Sequence, residues 1–478
     1  MKIIILGAGQ VGSSVAESLV SEANDITMVD VDSERLSLLQ DRLDLRAVVG
    51  NASHPSVLVS AGAEDADMIL AVTEHDETNL VSCKLAASMF NTPTKIARIR
   101  SSEYLAHPEI FSTDNFCVDF AICPEQILTE YIENLIEFPE ALQVLDFAEG
   151  KVSLVAVRAL YGGLLVGQQL QELRIHVPNV DTRVAAIFRK NRPIIPEGNT
   201  IIEVEDEVFF IAAAENIRAV MRELRNMDKP VKRVMIAGGG KIGRRLGKTL
   251  EKDYQVRIIE RNYKASERLA AELHRTLVLN GDATDEKLLE SENIAEMDMF
   301  CALTNDDENN IMAALLAKRM GARKVIALIN RRAYVDLVQS GGIDIAISPA
   351  QVTIGSLLAY VRQGDVVAVH SLRRGAAEAL ELVAHGDAQS SNVVGRKIED
   401  IELPKGATIG AIVRGLPEQN SVYDETLDEQ KNVSAEVKVI IAHHDTVIES
   451  EDHVILFVVN RKMIREVEKL FQVKVGFL

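Results

Sequence analysis

The sequence predicts an α/β protein with two doubly wound parallel-sheet domains, each followed by a small α+β domain. A short apolar strand, Ile3 to Leu6, leads into a glycine-rich turn and then into small and apolar residues at helical spacing that run to Val20. The same order of strand, turn and helix returns from residue 232 onwards. Because 478 residues are too many for one ordinary core, a repeated architecture fits the length as well as the pattern.

The first glycine turn has the spacing of a Rossmann-like dinucleotide site, and it reads Gly7-Ala8-Gly9-Gln10-Val11-Gly12. Gly7 suits a tight turn, Gly9 allows a phosphate close to the backbone, and Gly12 allows the helix to pack on the strand. The free N–H groups at the start of that helix favour an anion. Asp30 ends the next strand, 18 residues after Gly12, where it can accept hydrogen bonds from ribose hydroxyls and would repel a 2′-phosphate. The unit therefore predicts a site for NAD, ADP or ATP rather than NADP.

The same alternation of strands and helices continues to Pro124. Met68 to Val72 is an apolar strand of the kind buried on both faces, and it opens into the polar segment 73–79 before a helix that ends near Phe90. We expect further strands at 95–99 and 116–122, and a helix that begins at Pro124, a position suited to proline.

A small unit follows, with strands at 152–157, 184–188 and 208–212 and a closing helix at 215–226. The pattern then restarts. Matching positions lie 230 or 231 residues apart: the turn Gly238-Gly239-Gly240-Lys241-Ile242-Gly243, then Glu260 for Asp30, Asp282 for Asn51, and Thr304 for Thr73. The small unit also recurs, with a polar insert around 417–438 that we interpret as a surface loop or hairpin. We therefore expect four domains: 1–124, 125–228, 229–349 and 350–478.

Composition excludes several classes of function. A net charge of −19 argues against binding to nucleic acid and against direct adsorption to an anionic membrane. The sequence has no apolar run long enough to span a bilayer and no signal peptide, so we expect a cytosolic protein. The four cysteines, which have no CxxC spacing, are expected to be buried, reduced thiols, and no metal site is expected. His443-His444-Asp445 is interpreted as a solvated turn.

Together the glycine turn with Asp30, the segment 73–79 and the strand that contains Ala97-Arg98 resemble the regulator-of-K⁺-conductance family, also called RCK or KTN, in a tandem arrangement over nearly the whole chain. The resemblance implies an RCK N-terminal domain and an RCK C-terminal domain, each occurring twice. It also implies that the first site holds the phosphates at 7–11 and the ribose at Asp30, with adjacent groups from Asn51, Thr73, Glu74 and Arg98. Thr73 could instead be a helix N-cap, and Arg98 could form an interdomain salt bridge.

The second copy departs from the first in its charges. Leu328 aligns with Arg98, Lys241 enters the glycine turn, and Arg261 follows Glu260. The second pocket is therefore expected either to prefer a different nucleotide or to bind weakly. Because Glu260 retains the acid for the ribose, we expect the second pocket to be occupied by a nucleotide.

The resemblance implies a cytosolic regulatory subunit of a K⁺ transport system, peripheral on the cytoplasmic face of the cell membrane. It would bind NAD or NADH, with ATP or ADP possible in one or both sites, and would gate a TrkH- or TrkG-type membrane subunit as a homo-oligomeric, tetrameric gating ring. Contact with the membrane would go only through that partner. The segments 133–146 and 360–367, which leave the two parallel-sheet domains, are hypothesised to act as hinges.

The main alternative is an NAD-dependent oxidoreductase. Such an enzyme would need a proton donor or acceptor near the nicotinamide, and the sequence shows no Ser-Tyr-Lys set, His-Asp pair or metal cluster at a recognisable spacing. A structural adaptor with degenerate sites is a third possibility, weakened by the glycines and the acid that both halves retain. We therefore expect no enzymatic activity and no catalytic residues.

Overall fold

The structure is a computed structural model that describes residues 1–20, 24–190, 192–339, 341–362, 366–372, 377–417, 437–459 and 463–473. By their contacts the described residues form two compact units. One contains Met1–Pro124 together with the described part of Thr353–Ser371, and the other contains Glu125–Val352 and the described residues from Leu372 onwards outside 417–435.

The described strands of the first parallel sheet are β1 (Lys2–Leu6), β2 (Asp25–Asp30), β3 (Arg46–Val49), β4 (Met68–Ala71), β5 (Thr94–Arg98) and β6 (Phe120–Ile122). The helices that connect them are α1 (Gln10–Val20), α2 (Ser33–Gln40), α3 (Pro55–Ala61), α4 (Asp76–Phe90) and α5 (Ser102–Leu105). The strand order is β3-β2-β1-β4-β5-β6, so the chain reverses direction across the sheet between β1 and β4. Ligands of open α/β sheets bind at the carboxyl ends of the strands beside such a reversal.

Most of these elements lie where the sequence predicts them, but the strand expected at 116–122 begins only at Phe120. Cys117 has a left-handed backbone (φ 55°), and its N–H donates to the Ser112 carbonyl at 2.9 Å. Residues just before β6 therefore close a turn and cannot extend along the sheet.

The helix α6 (Pro124–Glu137) begins at the predicted proline and leads into a small antiparallel sheet. The strands of that sheet are β7 (Ala141–Phe147), β8 (Val152–Arg158), β9 (Thr182–Arg189), β10 (Arg192–Ile194) and β11 (Glu207–Ala213), with helices α7 (Leu173–His176) and α8 (Ile217–Leu224). The strand order is β10-β9-β11-β8-β7. The sequence did not predict β7, and the segment 133–146 proposed as a hinge holds the end of α6 and most of this strand.

The second parallel sheet repeats the first. Its described strands are β12 (Arg233–Ala237), β13 (Gln255–Glu260), β14 (Leu277–Asn280), β15 (Met299–Ala302), β16 (Lys324–Leu328) and β17 (Ile345–Ile347). Its helices are α9 (Lys241–Leu250), α10 (Tyr263–Glu272), α11 (Glu286–Ser291), α12 (Asp307–Arg319) and α13 (Arg332–Gln339). The order β14-β13-β12-β15-β16-β17 matches the first sheet strand for strand, which confirms the predicted repeat.

The second small sheet follows helix α14 (Pro349–Val361). Its described strands are β18 (Val366–Leu372), β19 (Ala377–Ala384), β20 (Ala407–Arg414), β21 (Lys438–Ile441) and β22 (Asp452–Val458), in the order β18-β19-β22-β20-β21, and α15 (Ile464–Phe471) closes it. Residues 418–436 of the predicted insert and residues 363–365 of the second predicted hinge lie outside the described residues.

The helix α6 packs on the second parallel sheet, although it follows the first sheet in the chain. Its apolar face, which includes Leu128, Ile132 and Leu135, shares one buried core with strands β12, β13, β15 and β16 and with α9. In the other unit, the Tyr360 ring of α14 stacks on Phe120 of β6, with 3.6 Å between the ring centroids. In each half of the chain, the helix that follows the parallel sheet therefore packs in the unit that contains the parallel sheet of the other half.

Two further expectations concern the cysteines and the membrane. Cys83 and Cys301 are fully buried free thiols, and burial raises the pKa of each to about 12. Cys117 departs from the expectation, because it is only half-buried and its sulfur lies 3.6 Å from the Lys84 Nζ. Within the described ranges, no helix is both long enough and apolar enough to cross a bilayer.

Candidate functional site: two glycine-turn crevices

The first crevice lies at the carboxyl ends of β1 and β4. Gly7 has φ +108°, a backbone conformation that residues with a side chain rarely adopt. A Cβ added to Gly12 would lie 1.9 Å from the Gly7 carbonyl oxygen, so only glycine lets α1 start this close to β1. At Gly9, an added Cβ would meet no heavy atom within 4 Å. Gly9 is thus not needed for packing, and its open face, beside the backbone N–H groups of the first turn of α1, has the form of a phosphate cradle.

Asp30 lies at the end of β2, directly beside the glycine turn. Its Oδ2 accepts a hydrogen bond from the Ala8 N–H at 2.5 Å, and its Oδ1 accepts one from the Asp32 N–H at 2.9 Å. Each carboxylate oxygen has a second lone pair, so the group can hold the turn and still accept a ribose hydroxyl. Asp30 therefore shapes the crevice as well as lining it.

Thr73, at the end of β4, belongs to a network centred on Asn79 of α4. The Thr73 N–H and hydroxyl both donate to Asn79 Oδ1, at 3.0 and 2.7 Å. The Asn79 amide donates to the carbonyls of Thr73 and Arg98, at 3.3 and 2.8 Å. Asn79 is fully buried and thus ties the ends of β4 and β5 together. The N-cap of α4 is His75 and not Thr73, although the Thr73 hydroxyl accepts from the His75 N–H at 3.3 Å.

The other predicted residues of the first site lie at the same edge of the sheet. Asn51 follows β3 and its Oδ1 accepts from the N–H and hydroxyl of Ser53, at 2.9 and 2.8 Å. The Glu74 side chain is exposed, with its Oε1 3.4 Å from the His75 Nε2. Arg98 is half-buried and ends β5, in register with Ile122 of β6.

The second crevice reproduces this geometry. Gly238 has φ +104°, and a Cβ on Gly243 would again lie 1.9 Å from the Gly238 carbonyl oxygen, whereas Gly240 has open space. Glu260 accepts from the Gly239 N–H at 2.8 Å and from the Asn262 N–H at 2.7 Å. Two halves of one chain thus build the same turn with the same acid contact.

The network around the threonine also recurs. The Thr304 hydroxyl donates to Asn310 Oδ1 at 2.6 Å, and the Asn310 amide donates to the Thr304 and Leu328 carbonyls, each at 2.9 Å. Since Asn79 bonds the Arg98 carbonyl in the same way, the structure supports the alignment of Leu328 with Arg98. Asp282 repeats Asn51: it accepts from the Thr284 N–H and hydroxyl, which, with Arg261, lower the pKa of its carboxyl group.

Charge distinguishes the two crevices. Lys241 is the first residue of α9 and is exposed beside the second glycine turn, followed by Ile242. Arg261 is exposed directly after Glu260. In the first crevice these positions hold Gln10 and Val31, and the cation lies instead on β5 at Arg98. The second site therefore carries its positive charge on the side of the glycine turn and the acid.

One pair of buried acids has a role that was not predicted from the sequence. Asp76 at the start of α4 accepts from the backbone N–H groups of Arg100 and Ser101, at 2.8 to 3.0 Å. Asp307 at the start of α12 does the same for Asn330 and Arg331, each at 2.8 Å. These carboxylates fix the loops after β5 and β16. The sequence did contain a sign of this role, because an aspartate recurs three residues before each of the matching asparagines, Asn79 and Asn310.

The His443-His444-Asp445 cluster forms a turn, as interpreted from the sequence. The His443 Nε2 lies 3.1 Å from the Asp181 Oδ1. Within the described ranges, no group of three or more histidine, cysteine or carboxylate side chains is arranged to hold a metal ion.

Comparison with known proteins gives matches over most of the chain. The TrkA-N domain model matches residues 3–123 and 234–349, and the TrkA-C domain model matches residues 154–225. The chain is 58% identical to Trk system potassium uptake protein TrkA of Halomonas elongata over 477 residues, with 100% of both chains covered. It is 58% identical to the protein of that name from Vibrio alginolyticus and 49% identical to that from Haemophilus influenzae, again with 100% of both chains covered.

Solved structures of similar fold include the GsuK RCK domain, with a TM-score of 0.59 and 17% identity over 98% of this chain and 94% of that chain. The GsuK channel bound to NAD has a TM-score of 0.59 and 16% identity over 98% of this chain and 78% of that chain. At these identities the likeness shows the fold, a pair of RCK-type domains.

Proposed function

The chain belongs to the TrkA family of Trk-system potassium uptake proteins, and on that premise we propose that it is a cytosolic regulatory subunit that binds adenine nucleotides and gates a membrane K⁺ channel or transporter. One observation carries the proposal: both halves build the same glycine turn with a carboxylate beside it. In each turn the last glycine lies against the carbonyl oxygen of the first, Gly12 against Gly7 and Gly243 against Gly238. A backbone N–H of each turn donates to the carboxylate at the end of the next strand. A nucleotide-binding role explains why Gly9 and Gly240 leave open space where packing requires no glycine.

The ligand of the first crevice is an adenine nucleotide, with NAD or NADH first among the candidates and ADP or ATP the others. Asp30 accepts the ribose hydroxyls and Arg98 pairs with a phosphate. The GsuK channel, which has the same fold, has a structure bound to NAD. The second crevice binds a nucleotide through Glu260, with Lys241 and Arg261 giving it a different preference among phosphates.

Gating requires that the ligand bind one conformation of the assembly more tightly than another. Moving a balance from mostly closed to mostly open takes a difference of about 10⁴-fold in affinity, or about 5.5 kcal/mol. Two crevices in each chain, multiplied in a tetrameric ring, divide that difference among many sites. A TrkH- or TrkG-type membrane subunit is the partner. The net charge of −19 favours attachment through that partner, on the cytoplasmic face, over direct adsorption to anionic lipid.

The relatives are named for potassium uptake and not for oxidation or reduction, which confirms the expectation that the protein is not an enzyme. The dehydrogenase alternative is therefore set aside.

Calorimetry of the purified chain against NAD⁺, NADH, ADP and ATP tests the binding proposal, with two sites expected per chain. Asp30→Asn and Glu260→Gln should each remove or weaken one of the two. Gating is tested separately, by K⁺ flux into vesicles that hold the membrane subunit, with and without the chain and each nucleotide. Binding without any effect on flux would retain the sites and reject the gating role, and no binding of any of the four would reject both.

A further inference from the structure

Lys324, the first residue of β16, reaches out of its own domain to a segment from the other half of the chain. Its Nζ donates to the backbone carbonyl of Pro139 and to that of Ala141, the latter at 3.2 Å. These carbonyls belong to residues 137–141, the junction between α6 and β7, which we call the α6–β7 junction.

The α6–β7 junction connects two parts of the molecule. On one side, α6 shares the buried core of the second parallel sheet. On the other side, β7 enters the first small sheet, and Arg218 of α8 lies over the Phe138 ring at 4.7 Å and donates to the Glu137 carbonyl at 3.1 Å. The junction therefore links the small sheet to the core of the second parallel sheet.

The matching region of the first half is built differently. Lys95, the second residue of β5, donates to the carbonyls of Thr92 and Pro93, both in its own domain, and forms an ion pair with Asp119 at 3.0 Å. In the second half, the carboxylate that matches Asp119 is Asp344. It forms an ion pair with Lys318, whose Nζ lies 2.8 Å from the Asp344 Oδ2. Strand register matches Lys324 with Thr94 and not with Lys95, so the first half has no lysine in the place of Lys324.

Several charged groups face the Lys324 ammonium, but desolvation outweighs them. Asp344, Asp228 and Glu140 favour its charged form and Arg225 opposes it, while burial has the largest effect and lowers the pKa of Lys324 to about 8. Glu140 is itself buried, and its Oε1 accepts from the Asp228 N–H at 2.8 Å. The ammonium is thus more costly to hold in the closed junction than in water.

We propose that Lys324 is a proton-sensitive latch that holds the α6–β7 junction against the second parallel-sheet domain. When the junction opens, solvent reaches the amine and the pKa returns to its ordinary value, near 10.4. The open state then binds more protons than the closed one between pH 8 and pH 10. Protons therefore favour opening, and a rise in pH favours the closed latch. This inference does not depend on which nucleotide the crevices bind.

Native-state hydrogen exchange of the full chain tests the latch. The Phe138 N–H donates to the Asn134 carbonyl at 2.9 Å and the Ala141 N–H to the Phe138 carbonyl at 3.0 Å, so both amides report opening of the junction. After correction for the intrinsic exchange rate, we expect the opening constant to fall several-fold, up to about tenfold, from pH 7 to pH 9.

In Lys324→Met that pH dependence should disappear. Lys324→Arg keeps a charged donor that does not titrate in this range, so its opening constant should also be independent of pH. This variant replaces the methionine variant in the test if the latter does not fold. Lys252→Met, which removes an exposed lysine of the same domain, should behave as wild type. A flat wild-type profile, or an unchanged profile in either Lys324 variant, would overturn the proposal.

Discussion

Gly12 lies so close to Gly7 that a Cβ on the former would be 1.9 Å from the carbonyl oxygen of the latter, and Gly243 and Gly238 repeat that distance. Gly9, between the first pair, has no heavy atom within 4 Å of its missing Cβ. The same turn thus contains one glycine needed for packing and one that packing does not need.

Alanine at these two positions should separate folding from binding. Gly12→Ala forces a methyl group into backbone and should destabilise the protein by about 2–3 kcal/mol. Gly9→Ala should leave the melting temperature unchanged and weaken nucleotide binding by about tenfold or more, because its methyl group enters the phosphate cradle. Thermal melting and calorimetry measure the two effects. Wild-type affinity in Gly9→Ala would mean that no phosphate approaches this turn.

The parts of the fold that depend on local pattern could be predicted from the sequence. Gly7, Asp30, Gly238 and Glu260 are recognisable because the chemistry of a glycine turn fixes their spacing, and the offset of 230 or 231 residues revealed the second sheet. The acids were predicted only as ribose ligands. The structure adds that each one also holds the turn by a backbone N–H, a contact between residues that are 22 and 21 positions apart.

What the sequence could not predict depends on distant contacts. Helix α6 packs on the second sheet because Leu128 and Ile132 contact the apolar core of that sheet. An amphipathic pattern predicts that a helix has an apolar face, but it does not predict which sheet that face will contact. Likewise β7 looks like part of a linker until it pairs with β8. Asn79 looked like one more polar residue at the start of a helix, although it is buried and bonds β5, 19 residues further along the chain.

Asn79→Ala should destabilise the first unit by about 2–4 kcal/mol. The substitution leaves the Thr73 N–H and the Arg98 carbonyl without the amide that satisfies them, and each such buried group costs about 1–3 kcal/mol. Denaturant unfolding measures the loss. Ser88→Ala, at an exposed position of the same helix, is the matched control and should change stability by less than about 0.5 kcal/mol. Equal effects of the two substitutions would contradict the role of Asn79.

The cysteines should differ in reactivity. Burial raises the pKa of Cys83 and Cys301 to about 12, so at pH 8 only about one in 10⁴ of these thiols is ionised, and that fraction rises tenfold with each pH unit. Cys117 is half-buried, with the Lys84 ammonium 3.6 Å from its sulfur. Iodoacetamide followed by peptide mass spectrometry should therefore label Cys117 at least about 100-fold faster than Cys83 or Cys301.

Cys117→Ser is the control for that labelling and should remove the fast phase while leaving the melting temperature unchanged. Labelling of Cys83 or Cys301 at the same rate as Cys117 in native buffer would show that the sheets open far more often than their burial implies.

Asp30→Asn tests the carboxylate of the first crevice with little change in shape. The amide oxygen can still accept from the Ala8 N–H, but the amide NH2 group then faces the Asp32 N–H, which loses its acceptor. The charge that favours ribose hydroxyls and repels a 2′-phosphate is also lost. We expect about 10- to 100-fold weaker binding of NADH at one of the two sites and a smaller preference for NADH over NADPH. Asp30→Ala should show the same loss of affinity and an added loss of stability of about 1–3 kcal/mol, because the Ala8 N–H loses its acceptor. Asp25→Asn, at the exposed start of the same strand, should bind as wild type. If Asp30→Asn kept wild-type affinity for every adenine nucleotide, Asp30 would serve the turn alone, and the ligand would lie elsewhere along the crevice.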